Sequence, residues 1–264
     1  MVESCAEGFE PGDCVWRAKG CRDNAIVTAG EPALAGIATL ARIDTSVVQA
    51  EKYLGPLGAM GVTAYAGMVD AAELRQGDIV WVSAAAGAVG SLAAQIAKLR
   101  GHRVIGSAGS EEKVRYLLDE LGLDAAFNYR GRPGRPPVAR SRARRCRRLF
   151  RQRRRRPPRG SAGHAPALGT GRALRCDLRV RVGRAHARAW QSVHATANNL
   201  TLRGFRGSAY QHRLPDVVRE LGGWLGEGRL RYRGTIIDGL ERAPESLIRV
   251  LSGNTTGKAL VRVD

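Results

Sequence analysis

The sequence predicts an α/β protein built around a doubly wound parallel sheet. Three observations indicate this fold class. A short apolar strand at residues 79–82 is followed by a turn of small residues and by a helical segment at residues 91–100. A second strand at residues 103–106 comes directly after that helix. A helix at residues 111–121 and a third strand at residues 125–129 continue the alternation, which is typical of a parallel sheet.

The first 50 residues have the pattern of the end of a β-rich domain. Short strands are predicted at residues 14–16 and 25–27, and a helix near residues 46–53. So few strands cannot form an independent barrel. We therefore expect the chain to begin inside a domain, with Met1 as a late start. A helical stretch at residues 58–69 then leads towards the first strand of the sheet.

The turn between the first strand and its helix carries a nucleotide-binding pattern. Ala85, Gly87 and Gly90 have the spacing of the fingerprint G-x-G-x-x-G, with alanine in the place of the first glycine. A turn of small residues lets the backbone approach a pyrophosphate, and a helix N-terminus supplies N–H groups and partial positive charge. We therefore predict a Rossmann-type dinucleotide site. The alternative is a plain strand-to-helix turn without a ligand.

The end of the second strand predicts NADP rather than NAD. A site for NAD usually has Asp or Glu here, about 20 residues after the glycine turn, to bind the ribose. This chain has the acid-free sequence SAGS at residues 107–110. Ser110 and Lys113 could bind a 2′-phosphate. Glu111 and Glu112 argue mildly against this, although acids in a first helical turn also favour the helix dipole.

The composition excludes several classes of protein. No run of 18 apolar residues is present, which argues against a membrane protein, and the first residues do not form a secretory signal. The five cysteines and five histidines have no metal-ligand spacing, and no Ser-His-Asp or Cys-His arrangement is supported. We expect a cytoplasmic protein with free thiols and no metal. The catalytic residues are not identified by the sequence.

The net charge of +19 is concentrated in one segment. Residues 131–188 contain 20 arginines and one acid, whereas the rest of the chain has 23 basic and 23 acidic residues. Taken at face value, the start of this segment is a disordered basic tract that could bind RNA, DNA or an anionic membrane. It has no aromatic pattern suited to base stacking. A nucleic-acid-binding protein is therefore an alternative, but an unfavoured one.

Regular structure is predicted again from about residue 196. The pattern predicts a helix at residues 214–225, a strand at 234–237, a helix at 240–251 and a closing strand at 257–263.

Several segments together resemble one enzyme family. They are YLGPLGAMGVTAYAGM, GDIVWVSAAAGAVGSLAAQIAKLRG, VIGSAGSEEK, AAFNYR, NLTLRGF, RYRGTIIDGLERAPESLIRVLSG and TGKALVRV. They are similar to the zinc-independent medium-chain dehydrogenase/reductase superfamily, in the branch of NADPH-dependent alkenal double-bond reductases that includes prostaglandin reductase and curcumin reductase. The resemblance covers roughly residues 1–130 and 195–264.

The resemblance implies a fold, a reaction and a set of site residues. Members bind NADPH between a Rossmann domain and a GroES-like barrel, deliver hydride to the β-carbon of an enone or alkenal, and protonate the enolate at the α-carbon. It places Lys113 and Tyr129 at the 2′-phosphate, and Thr63 and Tyr65 near the cofactor. Packing roles are the alternatives for Thr63, Tyr65 and Tyr129. The residues at the pyrophosphate would be Ala86, Gly87, Ala88, Val89 and Gly90.

The resemblance also divides the chain. Residues 1–50 would be part of a GroES-like catalytic domain and residues 51–130 the first part of the NADP-binding Rossmann domain. Residues 131–194 would be an anomalous Arg-rich segment, and residues 195–264 the end of the Rossmann domain with the return to the catalytic domain. Members are often homodimers. Quinone reductase, with the same fold and cofactor, is the alternative activity. One departure is Thr255, where the family usually has asparagine.

We expect the Arg-rich segment to be translated in a shifted reading frame. Read one base later, the codons of residues 145–155 (RCRRLFRQRRR) are compatible with G-V-D-V-Y-F-D-N-V-G-G, the family's motif at the nicotinamide site. Residues 190–193 (WQSV) regroup in the same way to G-N-L. The alternative is a genuine basic insertion. In a shifted chain we expect a missing sheet strand, missing nicotinamide contacts, a disordered or poorly packed segment, weak cofactor binding and little turnover.

Overall fold

The computed structural model describes most of the chain outside the Arg-rich segment. The described residues are 3–17, 20, 22–29, 40–46, 48–130, 146–151, 172–176 and 201–263, with the backbone alone described for 146–151, 172–176 and 201–202.

Ten strands and five α-helices make up the described structure. The strands are β1 (Val15–Arg17), β2 (Leu40–Arg42), β3 (Ile79–Ser83), β4 (Arg103–Ala108), β5 (Ala125–Asn128), β6 (Cys146–Arg151), β7 (Arg172–Cys176), β8 (Thr201–Phe205), β9 (Gly234–Asp238) and β10 (Lys258–Arg262). The helices are α1 (Ala59–Ala66), α2 (Ala88–Leu99), α3 (Glu111–Arg115), α4 (Leu214–Gly226) and α5 (Ala243–Ser252). Wider helical turns extend α1 over Gly67–Ala71 and α3 over Tyr116–Glu120. Single 3-10 segments lie at Ala50–Leu54, Gly207–Arg213 and Leu240–Arg242.

Six strands form one parallel sheet in the order β5-β4-β3-β6-β7-β8. The chain starts this sheet in the middle, at β3, and builds outwards first to one side and then to the other. This confirms the predicted doubly wound α/β fold. The order reverses beside β3, and ligands of such sheets bind at this switch point, outside the carboxyl ends of the strands. Two further pairs lie apart from the sheet: β1 with β2, antiparallel, and β9 with β10, parallel.

The core lies where α1 and α2 cover the middle of the sheet. Val80 and Val82 of β3 are fully buried, as are Leu92 and Ile96 of α2. Nine consecutive residues of α2 are buried. The helix therefore has a mainly apolar sequence, without the separate polar and apolar faces of a surface helix. The burial of this helix therefore explains why its sequence is mainly apolar and why the helix could be predicted from that sequence.

Two local predictions in the N-terminal part are wrong. Residues 25–27 form no strand, and Ile26 is 95% exposed. A β-branched run becomes a strand only where a neighbour supplies hydrogen bonds and a packing face, and the described structure gives this run neither. The helix predicted near residues 46–53 is instead the short 3-10 segment Ala50–Leu54.

The Arg-rich segment contributes two strands to the sheet, contrary to the expectation that a strand would be missing. β6 pairs with β3 and β7, and β7 pairs with β8. Ladder hydrogen bonds involve only the backbone, so the neighbouring strands can hold these segments whatever their side chains. Their sequences, CRRLFR and RALRC, nevertheless differ from the apolar runs usual inside parallel sheets. The disorder expected for the rest of this segment concerns residues outside the described part of the chain.

Candidate cofactor-binding site

A tight turn joins β3 to α2 at the switch point of the sheet. Ala84 has a positive φ of 52°, and the amide of Ala85 donates to the Ser107 carbonyl of the neighbouring strand at 2.9 Å. Gly87 is the residue that precedes α2, in an extended conformation. A Cβ on Gly90 would overlap the Ala84 carbonyl oxygen and lie 3.0 Å from the Cα of Ala85. Glycine at position 90 therefore lets the helix begin directly against the turn.

The N-terminus of α2 has the donor groups that a pyrophosphate requires. The amides of Ala88, Val89 and Gly90 belong to the first turn of the 12-residue α2, where backbone N–H groups have no intrahelical acceptor. No side chain caps this first turn, and no acid lies in it. A glycine-led helix start of this kind binds anions through its amides and its dipole. The predicted residues from Ala86 to Gly90 are thus brought together in one turn.

The C-terminal part of the chain closes over this turn. We name residues 253–257 the closing loop. The amide of Gly257 donates to the Ala86 carbonyl at 2.8 Å, and Gly257 forms an isolated parallel bridge with Gly87. Gly257 has φ +67°, and a Cβ there would overlap the Arg233 carbonyl oxygen. A glycine at position 257 is therefore required for the loop to reach the turn. The sequence did not predict this contact between the loop and the turn.

The three predicted residues of the 2′-phosphate site meet at the end of β4. The Ser110 hydroxyl accepts a hydrogen bond from the Lys113 amide at 3.3 Å and so caps α3. A Cβ on Gly109 would lie 3.1 Å from the Tyr129 hydroxyl oxygen, so this hydroxyl borders the strand end. Tyr129 is 36% exposed, which favours a binding role over a packing role. Glu111, the nearest acid, accepts a hydrogen bond from Asn128 at 3.0 Å.

Lys113 also contacts the closing loop. Its ammonium donates to the carbonyls of Gly253 at 2.7 Å and Thr255 at 2.5 Å. The same loop therefore lies between the predicted 2′-phosphate site and the glycine turn. Arg130 is a further cation at this end of the sheet that the sequence did not single out. Its guanidinium lies 6.0 Å from the centre of the Tyr129 ring and donates to the Ser252 carbonyl at 3.2 Å.

Thr63 and Tyr65 lie in α1 and have local partners. The Thr63 hydroxyl donates to the Ala59 carbonyl at 2.7 Å, and Thr63 packs directly against Gly207. Tyr65 is 4% exposed, and its hydroxyl donates to Glu220 of α4 at 2.7 Å. Burial and this hydrogen bond raise the pKa of Tyr65 above its usual value. These contacts favour packing roles for both residues, while their predicted place near the cofactor stays a prediction.

Neither a metal centre nor a membrane-spanning helix occurs in the part of the chain that the structure describes. There, no three His, Cys, Asp or Glu side chains gather closely enough to hold a metal ion. None of the described helices combines the length and the apolar composition needed to cross a membrane.

Known proteins match this chain in sequence and in structure. The zinc-binding dehydrogenase family matches residues 88–143. The Bacillus subtilis protein YfmJ is 34% identical over 241 residues, covering 85% of this chain and 67% of that protein. The NADP-dependent 2-alkenal reductase of Nicotiana tabacum is 30% identical over 280 residues, covering 100% of this chain and 75% of that enzyme. The structure of CurA from Vibrio vulnificus in complex with NADPH superposes with a TM-score of 0.70 at 29% identity, covering 86% of this chain and 71% of that one.

Proposed function

Since the chain belongs to the medium-chain dehydrogenase/reductase superfamily, among relatives of the NADP-dependent double-bond reductases, we propose that it is an NADPH-dependent reductase of α,β-unsaturated ketones or aldehydes. One observation carries the cofactor part of this proposal. The glycine turn, the α2 N-terminus and the Ser110–Lys113–Tyr129 group lie at the same carboxyl edge of the sheet and are joined by the closing loop.

The residues fit the two anionic groups of NADP. Ala86, Gly87 and Gly90 give the close backbone approach that a pyrophosphate needs. The absence of an acid at the end of β4, together with the cation of Lys113 and the hydroxyl of Tyr129, suits a 2′-phosphate rather than a 2′-hydroxyl. We therefore assign pyrophosphate binding to the turn and 2′-phosphate binding to the strand end.

The proposed reaction reduces a carbon–carbon double bond. NADPH, when bound, supplies a hydride, and a proton is added at the α-carbon, so that an enone becomes a saturated ketone and NADP⁺ is released. The chain's own contribution in the described residues is to bind and orient the cofactor. The substrate class rests on relatives: besides the tobacco enzyme, these include the NADPH-dependent curcumin reductase of Escherichia coli, 29% identical over 284 residues. We further propose a zinc-independent, cytoplasmic enzyme that forms a homodimer.

A substrate screen tests the proposal. The purified chain is mixed with NADPH or NADH and with a small enone, a 2-alkenal or a quinone, and absorbance at 340 nm is followed. We expect NADPH oxidation with the enone or alkenal, slow for the chain as written and faster for a frame-restored protein, and the saturated product by mass spectrometry. Oxidation with the quinone alone would favour the quinone reductase alternative. Salt-sensitive binding to DNA or RNA without NADPH binding would refute the proposal and favour the nucleic-acid alternative.

We also propose that residues 131–194 are read in a shifted frame. β6 and β7 place the Arg-containing sequences CRRLFR and RALRC inside a parallel sheet, where apolar runs are usual. Read one base later, the β6 codons are compatible with V-D-V-Y-F-D, and the β7 codons with the apolar sequence V-L-C-G-A. Both strands of the segment therefore acquire a more suitable composition from the same shift.

Resequencing the coding DNA across codons 125–200 tests the frame proposal, together with the intact mass of the protein. One base added or lost near each end of the segment is the expected result. The frame-restored protein should then oxidise NADPH with an enone, and the chain as written should have much weaker activity. An unbroken frame, with the Arg-rich segment present in the intact mass, would refute the proposal and make the segment a genuine insertion.

A further inference from the structure

We infer that Arg130 is a ligand of the adenosine 2′-phosphate and that it determines the preference of this site for NADP over NAD. This inference rests on the proposed function, because it concerns the same cofactor. It adds a residue that neither the fingerprint nor the strand-end pattern contains.

The position of Arg130 is set by a glycine at the end of β4. A Cβ on Gly109 would lie 3.1 Å from the Tyr129 hydroxyl oxygen and 3.4 Å from Nε of Arg130. The hydroxyl and the guanidinium therefore border the same small space, at the strand end where this fold binds the adenosine ribose. Glycine at position 109 therefore lets both side chains lie close to the backbone, and a phosphate would bind beside these two groups.

The contacts of Lys113 leave this side chain fewer donors for a phosphate. Its ammonium already donates to the carbonyls of Gly253 and Thr255. A lysine has three N–H donors, so two of them are directed to the closing loop in this arrangement. Most of the N–H donors of Lys113 therefore bind the closing loop. A phosphate dianion needs further donors from other side chains.

Arg130 is chemically suited to supply these donors. A guanidinium has five N–H donors in a planar fork that matches the oxygens of a phosphate in a bidentate pair. Arg130 can keep its 3.2 Å hydrogen bond to the Ser252 carbonyl and still present two donors to a phosphate. Its cation also lies 6.0 Å from the Tyr129 ring centre, which holds it beside the tyrosine hydroxyl.

Both cations are held by carbonyls at the C-terminal end of α5. Ser252 is the last residue of this helix and Gly253 follows it in the left-handed conformation. Helix C-termini attract cations, so α5 positions Arg130 and Lys113 before a cofactor arrives. Binding of the 2′-phosphate between these groups would therefore need little rearrangement of the side chains.

Calorimetric titration with paired ligands tests the inference without turnover. NADPH is compared with NADH, and adenosine 2′,5′-bisphosphate with adenosine 5′-monophosphate, for the chain and for Arg130→Gln, Arg130→Lys and Arg103→Gln. Arg103 is an exposed arginine at the other end of β4 and controls for general loss of positive charge. We expect Arg130→Gln to weaken both 2′-phosphorylated ligands by about 10- to 100-fold, as for a lost charge-assisted hydrogen-bond pair.

The other ligands and variants distinguish the possible outcomes. In Arg130→Gln, the affinities for NADH and for the 5′-monophosphate should change by less than about threefold. Arg130→Lys should lose part of the preference for the 2′-phosphorylated ligands. Arg103→Gln should bind all four ligands like the parent chain. If Arg130→Gln keeps the full preference for NADPH, the inference is wrong while the proposed function stands. If neither the parent chain nor the frame-restored protein binds NADPH or the 2′,5′-bisphosphate, both are wrong.

Discussion

Replacing Gly90 by alanine tests the glycine turn directly. The new Cβ would overlap the Ala84 carbonyl oxygen and lie 3.0 Å from both the Ala84 carbonyl carbon and the Ala85 Cα. These atoms belong to the backbone of the turn, so no side-chain rotation can relieve the overlap. The first turn of α2 must therefore move away from the residues that we assign to the pyrophosphate.

The cost of this movement can be estimated from similar packing changes. Forcing an extra methyl group into a tight backbone contact typically costs about 1–3 kcal/mol, and the better helix propensity of alanine offsets at most about 1 kcal/mol of this. We expect Gly90→Ala to lower the free energy of unfolding by about 1–2 kcal/mol. We expect NADPH affinity to fall by about tenfold or more, because the helix amides no longer point at the ligand.

Urea unfolding and calorimetric titration with NADPH measure the two effects separately. Gly223→Ala is the matched control, because Gly223 also lies in a helix and a Cβ there meets no atom within 4 Å. This control should be neutral or stabilising and should leave NADPH binding unchanged. Gly87→Ala separates the effects further: its Cβ would lie 3.3 Å from the Ala84 oxygen, so the protein should fold and bind NADPH less tightly. A Gly90→Ala protein with the stability and NADPH affinity of the parent chain would refute this account of the turn.

Three further substitutions and one control substitution test other contacts. Gly257→Ala should abolish the closing loop's contact with the glycine turn and weaken NADPH binding in the same titration, because its Cβ would overlap the Arg233 carbonyl oxygen. Gly228→Ala is the control, because Gly228 has a similar backbone conformation with open space around it. This control should lower the free energy of unfolding by only about 1–2 kcal/mol. Gln95→Leu should lower the free energy of urea unfolding by about 2–4 kcal/mol, because the buried Gln95 amide bonds the N–H and the carbonyl of Arg231; a change below about 0.5 kcal/mol would contradict this. Tyr232→Phe should be neutral or stabilising, because the hydroxyl is buried and has no hydrogen-bond partner in the described structure. Burial and Glu51 raise the pKa of Tyr232 from about 10 to about 12. Because the unfolded chain loses this proton at a lower pH than the folded chain, the free energy of unfolding falls as the pH rises from about 10 through 12. In Tyr232→Phe, the free energy of unfolding should therefore fall less steeply with pH over that range. An unchanged pH dependence would contradict the raised pKa of Tyr232.

The strands and helices of the nucleotide-binding half were predictable because local pattern and tertiary environment agree there. Residues 79–82 were predicted as a buried strand, and Val80 and Val82 are fully buried in β3. The fingerprint spacing located the turn, because a helix start this close to a strand tolerates only small residues. The strand predicted at residues 25–27 was wrong, because a strand exists only where another strand pairs with it.

The amino-acid sequence by itself predicted the fold class, the glycine turn and, from the absence of an acid at the end of β4, NADP as the cofactor. These features depend on residues close together in the chain, whose backbone conformation and charge can be read from a few positions. The tertiary structure alone decided that Gly257 lies on Ala86, that Lys113 is bound to the closing loop and that Arg130 stands beside Tyr129. Apart from the neighbouring Arg130 and Tyr129, these partners are separated by more than 130 residues. Such contacts arise where the closing loop between α5 and β10 meets the glycine turn and the first turn of α3, and no local pattern encodes them.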